Sequence, residues 1–244
     1  FNMIDIQLPL DELGNLLLIY FGCPPSLADI KLTKFLVKNL KQNDIFYDIG
    51  ANIGYYSYLA SIFCKEVHIF EPLPFLFEYI KKNLANNSNC FLNNFALSDN
   101  EGYVNIYVGK YGTGASTIVK DVYDKHKNIF KKEPIKVKTT TLDKYLENHN
   151  RPTIIKLDVE GAESAVLNGS KDFLKNTKNS PMIIMEVWSN EKKLSFKSLE
   201  ILKDLGFKFI YRINLDGGLE KLYNEDELYQ EYNDLNYVFT KTPH

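Results

Sequence analysis

The run Phe46-Tyr47-Asp48-Ile49-Gly50-Ala51-Asn52-Ile53-Gly54 constrains the fold more than any other stretch: an apolar strand ends in an acid, glycines follow, and a helix starts near Tyr55. Glycines allow a sharp turn and a close approach of backbone to ligand. The first N–H groups of a helix have no partner within it, so this is the layout of a nucleotide-like cofactor site. The acid narrows the choice of ligand. A pyrophosphate here would be repelled by Asp48, and the glycine spacing is G-x-x-x-G rather than the dinucleotide G-x-G-x-x-G. S-adenosylmethionine (SAM) suits the turn better, because its sulfonium and ammonium groups are cations that a carboxylate attracts.

A second acid supports this reading. The apolar run Val67-His68-Ile69-Phe70 ends in Glu71-Pro72, and an acid ending the second strand suits a ribose, whose two hydroxyls can donate to one carboxylate. Taken singly, Asp48 reads as a helix-capping acid and Glu71 as a solvated strand end. The pair at this separation favours the cofactor site.

Extended and helical patterns alternate along the chain, which predicts parallel β-α-β units. A helix over 31–42 leads into a strand at 45–48, followed by helix 55–63, strand 66–70, helix 74–85 and strand 90–95. Between 100 and 141 the pattern becomes simple alternation. Strands at Tyr103–Val108 and Ile135–Thr139 flank a polar segment, 109–134, that reads as a β-hairpin-like excursion with a loop able to cover a substrate. His126 and Tyr111 lie in that segment and read as solvated.

The doubly wound pattern then resumes with strand 153–158, a helix from about 161 to 174 and the very apolar strand 181–187, followed by helix 195–204 and strand 207–213. A last strand at 235–240 lacks the helix that a parallel crossover requires, so it is predicted to run antiparallel. Ligands of open α/β sheets bind outside the carboxyl ends of the strands, so Asp48, Glu71, Asp158 and Glu186 should share one rim. The fold expected is a single domain over 31–244, preceded by an extension over 1–30 whose apolar run Leu16–Phe21 offers a strand pair or a homodimer contact.

The set Asp48-Ile49-Gly50-Ala51-Asn52-Ile53-Gly54, Phe70-Glu71-Pro72, Ala96-Leu97-Ser98-Asp99 with Gly102, Thr141-Leu142-Asp143, Lys156-Leu157-Asp158-Val159-Glu160-Gly161-Ala162-Glu163 and Val166-Leu167-Asn168-Gly169 resembles the FkbM-type SAM-dependent methyltransferases from about residue 44 to 187. That resemblance implies a Rossmann-like class I methyltransferase fold of the α/β class: a seven-stranded, mostly parallel sheet with a reversed last strand. It also implies O-methylation, often of sugar hydroxyls. Cofactor contacts would come from Asp48, Gly50, Ala51, Asn52, Gly54, Glu71, Pro72, Asn94, Ala96 and Leu97.

A sugar hydroxyl is too weak an acid to ionise alone, so a base or a metal must stand beside the methyl group. Asp158, Glu160 and Glu186 fall there. Asp158 or Glu160 would serve as a general base, or Asp158 and Glu186 would ligate Mg²⁺ to polarise the hydroxyl. Glu163 reads as an acid favouring the start of its helix, His68 as a packed strand residue, and Trp188 as an aromatic near the rim able to stack on a sugar face.

Composition trims the partners. The net charge of −2, with Lys and Arg spread along the chain, leaves no nucleic-acid footprint. The three cysteines form no C-x-x-C, which argues against a disulfide framework or zinc site and for a reducing, cytoplasmic setting. No apolar run has the length of a transmembrane span. The partner expected is therefore a small-molecule or glycan acceptor. Two competitors are a dehydrogenase, which the missing G-x-G-x-x-G counts against, and a catalytically silent SAM-fold scaffold, which the intact motifs count against.

Overall fold

The computed structural model describes residue 7 and residues 26–110, 116–131, 133–177, 179–188, 192–229 and 235–244. The extension expected over 1–30 lies almost wholly outside the described residues, as does Tyr111.

Helix α1 (Leu27–Asn39) opens the described chain, four residues earlier than the pattern predicts. Ser26 caps it by accepting the Asp29 N–H at 3.0 Å, and the acid Asp29 lies in the first turn, where the helix dipole favours negative charge. Its Leu32, Phe35 and Leu36 share one face at helical spacing and are fully buried. Alternating strands and helices follow. Strands β1 (Ile45–Ile49), β2 (Glu66–Phe70) and β3 (Cys90–Asn93) alternate with α2 (Tyr55–Phe63) and α3 (Pro74–Asn83), the last starting on a proline that presets its φ.

Strand β7 (Ile154–Leu157), helices α6 (Glu163–Asn168) and α7 (Lys171–Asn176), strand β8 (Met182–Val187), helix α8 (Lys192–Asp204) and strands β9 (Phe209–Ile213), β10 (Leu219–Leu222) and β11 (Leu235–Thr240) complete the main layer. Among the described residues the main sheet has eight strands in the order β10-β9-β11-β8-β7-β1-β2-β3. Strand β11 is antiparallel to both β8 and β9, as the missing crossover helix predicts. The eighth strand, β10, was not expected: its Leu-Glu-Lys-Leu run is short and half charged, and it is an edge strand that only pairing with β9 makes extended. The single helix expected over 161–174 is two, broken at Gly169-Ser170.

Period-two alternation sorts the strands' side chains onto two cores. Phe46, Val67, Ile69, Ile154, Ile184 and Val238 face α1 and α2, whereas Tyr47, Ile49, Phe70, Ile155, Leu157, Ile183 and Met185 face α6, α7 and α8. Each such fully buried side chain contributes roughly 1.5–3 kcal/mol. His68 is 1 % exposed and stacks between Tyr47 and Phe91 at 4.4 and 4.5 Å, a packed residue as expected. Burial pushes its pKa down to about 4, so it stays neutral.

The excursion is more regular than a hairpin. Strand β4 (Ala96–Leu97) pairs parallel with β6 (Ile135–Thr140), and β5 (Gly102–Ile106) pairs antiparallel on the other side of β6, giving a separate three-stranded sheet. Helix α4 (Lys120–Lys125) lies in the connection, and His126 after it is exposed. The Thr141-Leu142-Asp143 motif opens α5 (Leu142–Tyr145), and Asp143 Oδ1 and Oδ2 accept the N–H groups of Phe173 and Asp172 at 2.8 and 3.0 Å. That motif is a clamp between short helices rather than part of a site. Among the described residues no helix is long and apolar enough to cross a membrane.

Candidate active site

The four strand-end acids do share one rim, because β1, β2, β7 and β8 are parallel neighbours. Between them the turn after β1 reverses through residues in the left-handed region, Gly50 at φ 84°, Asn52 at 54° and Gly54 at 83°. A Cβ on Gly50 would stand 1.8 Å from the Asp158 carbonyl oxygen, so the glycine is demanded by the approach of the β7 end rather than by a ligand. The Gly50 and Ala51 N–H groups both donate to the Phe70 carbonyl, at 3.0 and 3.1 Å. Gly54 caps α2 without a side chain, which leaves that nine-residue helix an uncapped N-terminus facing the turn. These features fit a ligand carrying both cationic groups and a carboxylate, as SAM does.

Glu71 is no solvated strand end. It is 4 % exposed, and its Oε2 and Oε1 accept the Asn52 and Leu73 N–H groups at 2.8 and 2.9 Å, tying the turn to the start of α3. Burial pushes its carboxyl up to about 8. When the carboxyl is ionised, each oxygen keeps a second lone pair that a hydroxyl can use. Asn94 donates its side-chain N–H to the Glu71 and Pro72 carbonyls at 2.8 and 3.2 Å, holding the same corner. Ala96 and Leu97 belong to β4, and Leu97 is buried in the core beside Phe70 rather than open to the rim.

Asp48 has 0 % exposure and faces a partner that sequence reasoning missed. The β1–β7 register sets it opposite Lys156, whose Nζ lies 3.6 Å from Asp48 Oδ1 and 3.1 Å from Asp158 Oδ2. Ser57 also donates to Asp48 Oδ2 at 2.6 Å. Burial pushes the Asp48 carboxyl above its usual range, against the pull of Lys156 and Ser57. For Lys156, burial pulls the ammonium down, but Asp158 and Asp48 outweigh it and hold its pKa above the usual value. The attraction expected between Asp48 and a cationic ligand is thus shared with Lys156, while Asp48 Oδ1 accepts no hydrogen bond from the described residues. A lysine inside the apolar run Ile154-Ile155-Lys156-Leu157 was the available signal, since a strand buried on both faces keeps a charge only with a partner.

Asp158, Glu160 and Glu186, which the sequence placed beside the transferred methyl group, do converge: their carboxylate oxygens lie within 4.8 Å of one another. Glu160 has φ 54°, uncommon for a residue with a side chain, and its carbonyl accepts the Thr117 hydroxyl at 2.7 Å, joining the excursion to the acids. Burial, then Asp158 and Glu186, push its carboxyl well above the usual range. Trp188 N–H of the indole donates to Glu186 Oε2 at 2.8 Å, which fixes a half-buried aromatic ring at the rim. Such a cluster can shuttle a proton between an ionised and a neutral carboxyl, or surround a hard divalent cation.

Glu163 stands apart. Its Oε1 accepts the Val159 and Gly161 N–H groups at 3.1 and 3.3 Å and so holds the loop that carries Asp158 and Glu160. Burial raises its carboxyl from 4.5 to about 7. The folded protein therefore binds this proton more tightly than the unfolded chain, and the associated stability is full below the unfolded pKa and is lost as pH rises through the folded one. Glu163→Gln keeps the acceptor and removes the titration. Its melting temperature should fall less than that of the wild type between about pH 5 and 8; parallel curves would assign the pH dependence to other groups.

The Methyltransferase FkbM domain matches residues 48–209, more than half of the chain. A hexuronic acid methyltransferase of Haloferax volcanii, AglP, is 23% identical over 188 residues, 71% of this chain and 73% of the relative. The crystal structure of an FkbM methyltransferase from Methylobacillus flagellatus KT superposes with a TM-score of 0.54 at 15% identity. The superposition covers 83% of this chain and 44% of that one, so the chain spans less than half the length of that protein.

Proposed function

Since the chain belongs to the FkbM methyltransferase family, whose fold is that of SAM-dependent transfer, we propose that it methylates a hydroxyl of a sugar, in a glycan that carries hexuronic acid. The observation that carries the reading is the convergence of Asp158, Glu160 and Glu186 beside the indole of Trp188. Acids grouped in this way suit an acceptor that must lose a proton, and an aromatic ring suits the apolar face of a sugar.

SAM, when bound, supplies an electrophilic methyl group. The turn Gly50–Gly54, Glu71 and the uncapped start of α2 would hold it. Asp158 accepts the hydroxyl proton at its carboxylate as the acceptor oxygen attacks. Glu160, whose carboxyl burial and then Asp158 and Glu186 push well above its usual range, would hydrogen-bond beside that proton rather than compete for it. The excursion meets the acids through Thr117, whose hydroxyl donates to the Glu160 carbonyl.

The relative named for hexuronic acid favours a second acceptor atom, the uronate carboxylate itself. A carboxylate needs no base, whereas the convergent acids suit an acceptor that must lose a proton, so the hydroxyl is the better acceptor. Labelled SAM incubated with hexuronic-acid glycans and with neutral glycans decides the matter. A label that resists mild base, located by mass spectrometry on a hydroxyl oxygen of the sugar, is the expected result. A base-labile methyl ester would transfer the assignment to the carboxylate, and no label on any glycan would remove the sugar reading.

A further inference from the structure

Lys156 is enclosed on several sides. Its ammonium lies 3.1 Å from Asp158 Oδ2 and 3.6 Å from Asp48 Oδ1, with the Tyr56 ring centroid 5.1 Å away. Tyr56 cannot swing aside, because its hydroxyl donates to Asp29 Oδ1 at 2.7 Å, and Asp29 is itself held by Ser26 Oγ at the cap of α1. The Lys156 side chain is 3 % exposed, whereas that of Asp158 is 32 % exposed. Among the described residues, the hydrogen bond to the Asp158 carboxylate comes from Lys156. The fixed member of the pair is thus the lysine, and the acid at the rim takes its orientation from it.

Burying a cation in a strand is costly, and replacing a whole buried ion pair by apolar residues of similar size is often neutral or stabilising, although removing one partner alone strands the other charge. A charge retained there serves geometry. We propose that Lys156 is a positioning residue for methyl transfer: it pins Asp158 Oδ2, aims the remaining oxygen at the acceptor, and is itself held in place through Tyr56 and Asp29 by helix α1. This rests on the reading of Asp158 as the base. It adds a link from α1, outside the residues that match the family, to the reacting centre.

The test is a double-mutant cycle of Lys156→Met and Asp158→Asn, read in single-turnover transfer from labelled SAM to a hexuronic-acid glycan, in SAM affinity by titration calorimetry and in melting temperature. Lys156→Met should slow transfer by about a hundredfold while SAM affinity stays within about threefold, and the double variant should be no slower than Asp158→Asn alone, because the lysine acts through the acid. Losses that multiply would make Lys156 a merely structural residue, and wild-type turnover by Lys156→Met would overturn the proposal outright. If Lys156→Met does not fold by circular dichroism, Lys156→Arg decides. It keeps the charge but replaces the compact ammonium by a longer planar fork, so at an unchanged melting temperature transfer should drop at least about tenfold, and wild-type turnover would refute positioning. If the wild type labels no glycan, the proposed function fails by itself. The pinning is then read from melting temperatures alone: coupled destabilisation by the two substitutions upholds it, and additive destabilisation rejects it.

Discussion

Asp158→Asn is expected to reduce methyl transfer by roughly 10²–10⁴-fold, the range lost with a general base, while the protein folds and binds SAM nearly as before. The amide has almost the shape of the carboxylate and can still accept the Lys156 N–H, so the rim keeps its form. It cannot take a proton. Single-turnover transfer, calorimetric SAM titration and circular dichroism on the same preparation separate these effects. Adding EDTA to the wild type tests the other use of the same acids: collapse reversed by Mg²⁺ would mean that Asp158 and Glu186 hold a cation that polarises the hydroxyl, and indifference to EDTA would leave the base. Normal turnover by Asp158→Asn would sink both and move the search to Glu160.

Gly50→Ala should be the most damaging glycine-to-alanine change among the described residues. The added carbon would lie 1.8 Å from the Asp158 carbonyl oxygen and 2.9 Å from its carbonyl carbon, so the ends of β1 and β7 must part, and φ 84° opposes any side chain as well. At Gly54 the added carbon meets Ile80 Cγ1 at 3.2 Å, a side chain that can yield, and only the backbone cost of about 1–2 kcal/mol remains. Urea denaturation should show a loss at Gly50 of at least about 4 kcal/mol, or no folded state at all, with SAM binding gone. Equal stabilities for Gly50→Ala and Gly54→Ala would show that the β7 end is not packed on this turn.

The parts of the site legible in the sequence were those written in contiguous residues. An acid at the end of an apolar run, followed by glycines, announces a strand, a turn and a helix start, and the same logic found Glu71, Asp158 and Glu186 at one rim. The order of the motifs along the chain also carried the family. Less legible were elements whose conformation is set by a neighbour. Strand β10 has too few apolar residues to declare itself, and β4, two residues long, is extended only because β6 runs beside it. The break between α6 and α7 was announced by Gly169-Ser170 but hidden by apolar spacing that continues across it.

The roles of the acids divided in the same way. Sequence identified which carboxylates stand at strand ends, because side-chain alternation and strand length are local properties. It could not tell that Asp48 lies buried beside Lys156, that Glu71 and Glu163 hold turns with their oxygens, or that burial and neighbouring acids push the Glu160 carboxyl above its usual range. Those outcomes depend on the register between β1 and β7 and on how closely the rim loops pack. Register is chosen by the two cores that the sheet buries on its faces, so residues far apart in the chain meet only once the whole layer is assembled. By itself, the sequence determined the strand ends, the left-handed turn and the family; the tertiary structure decided which charges are buried together, because desolvation and pairing act only between residues that folding has brought into contact.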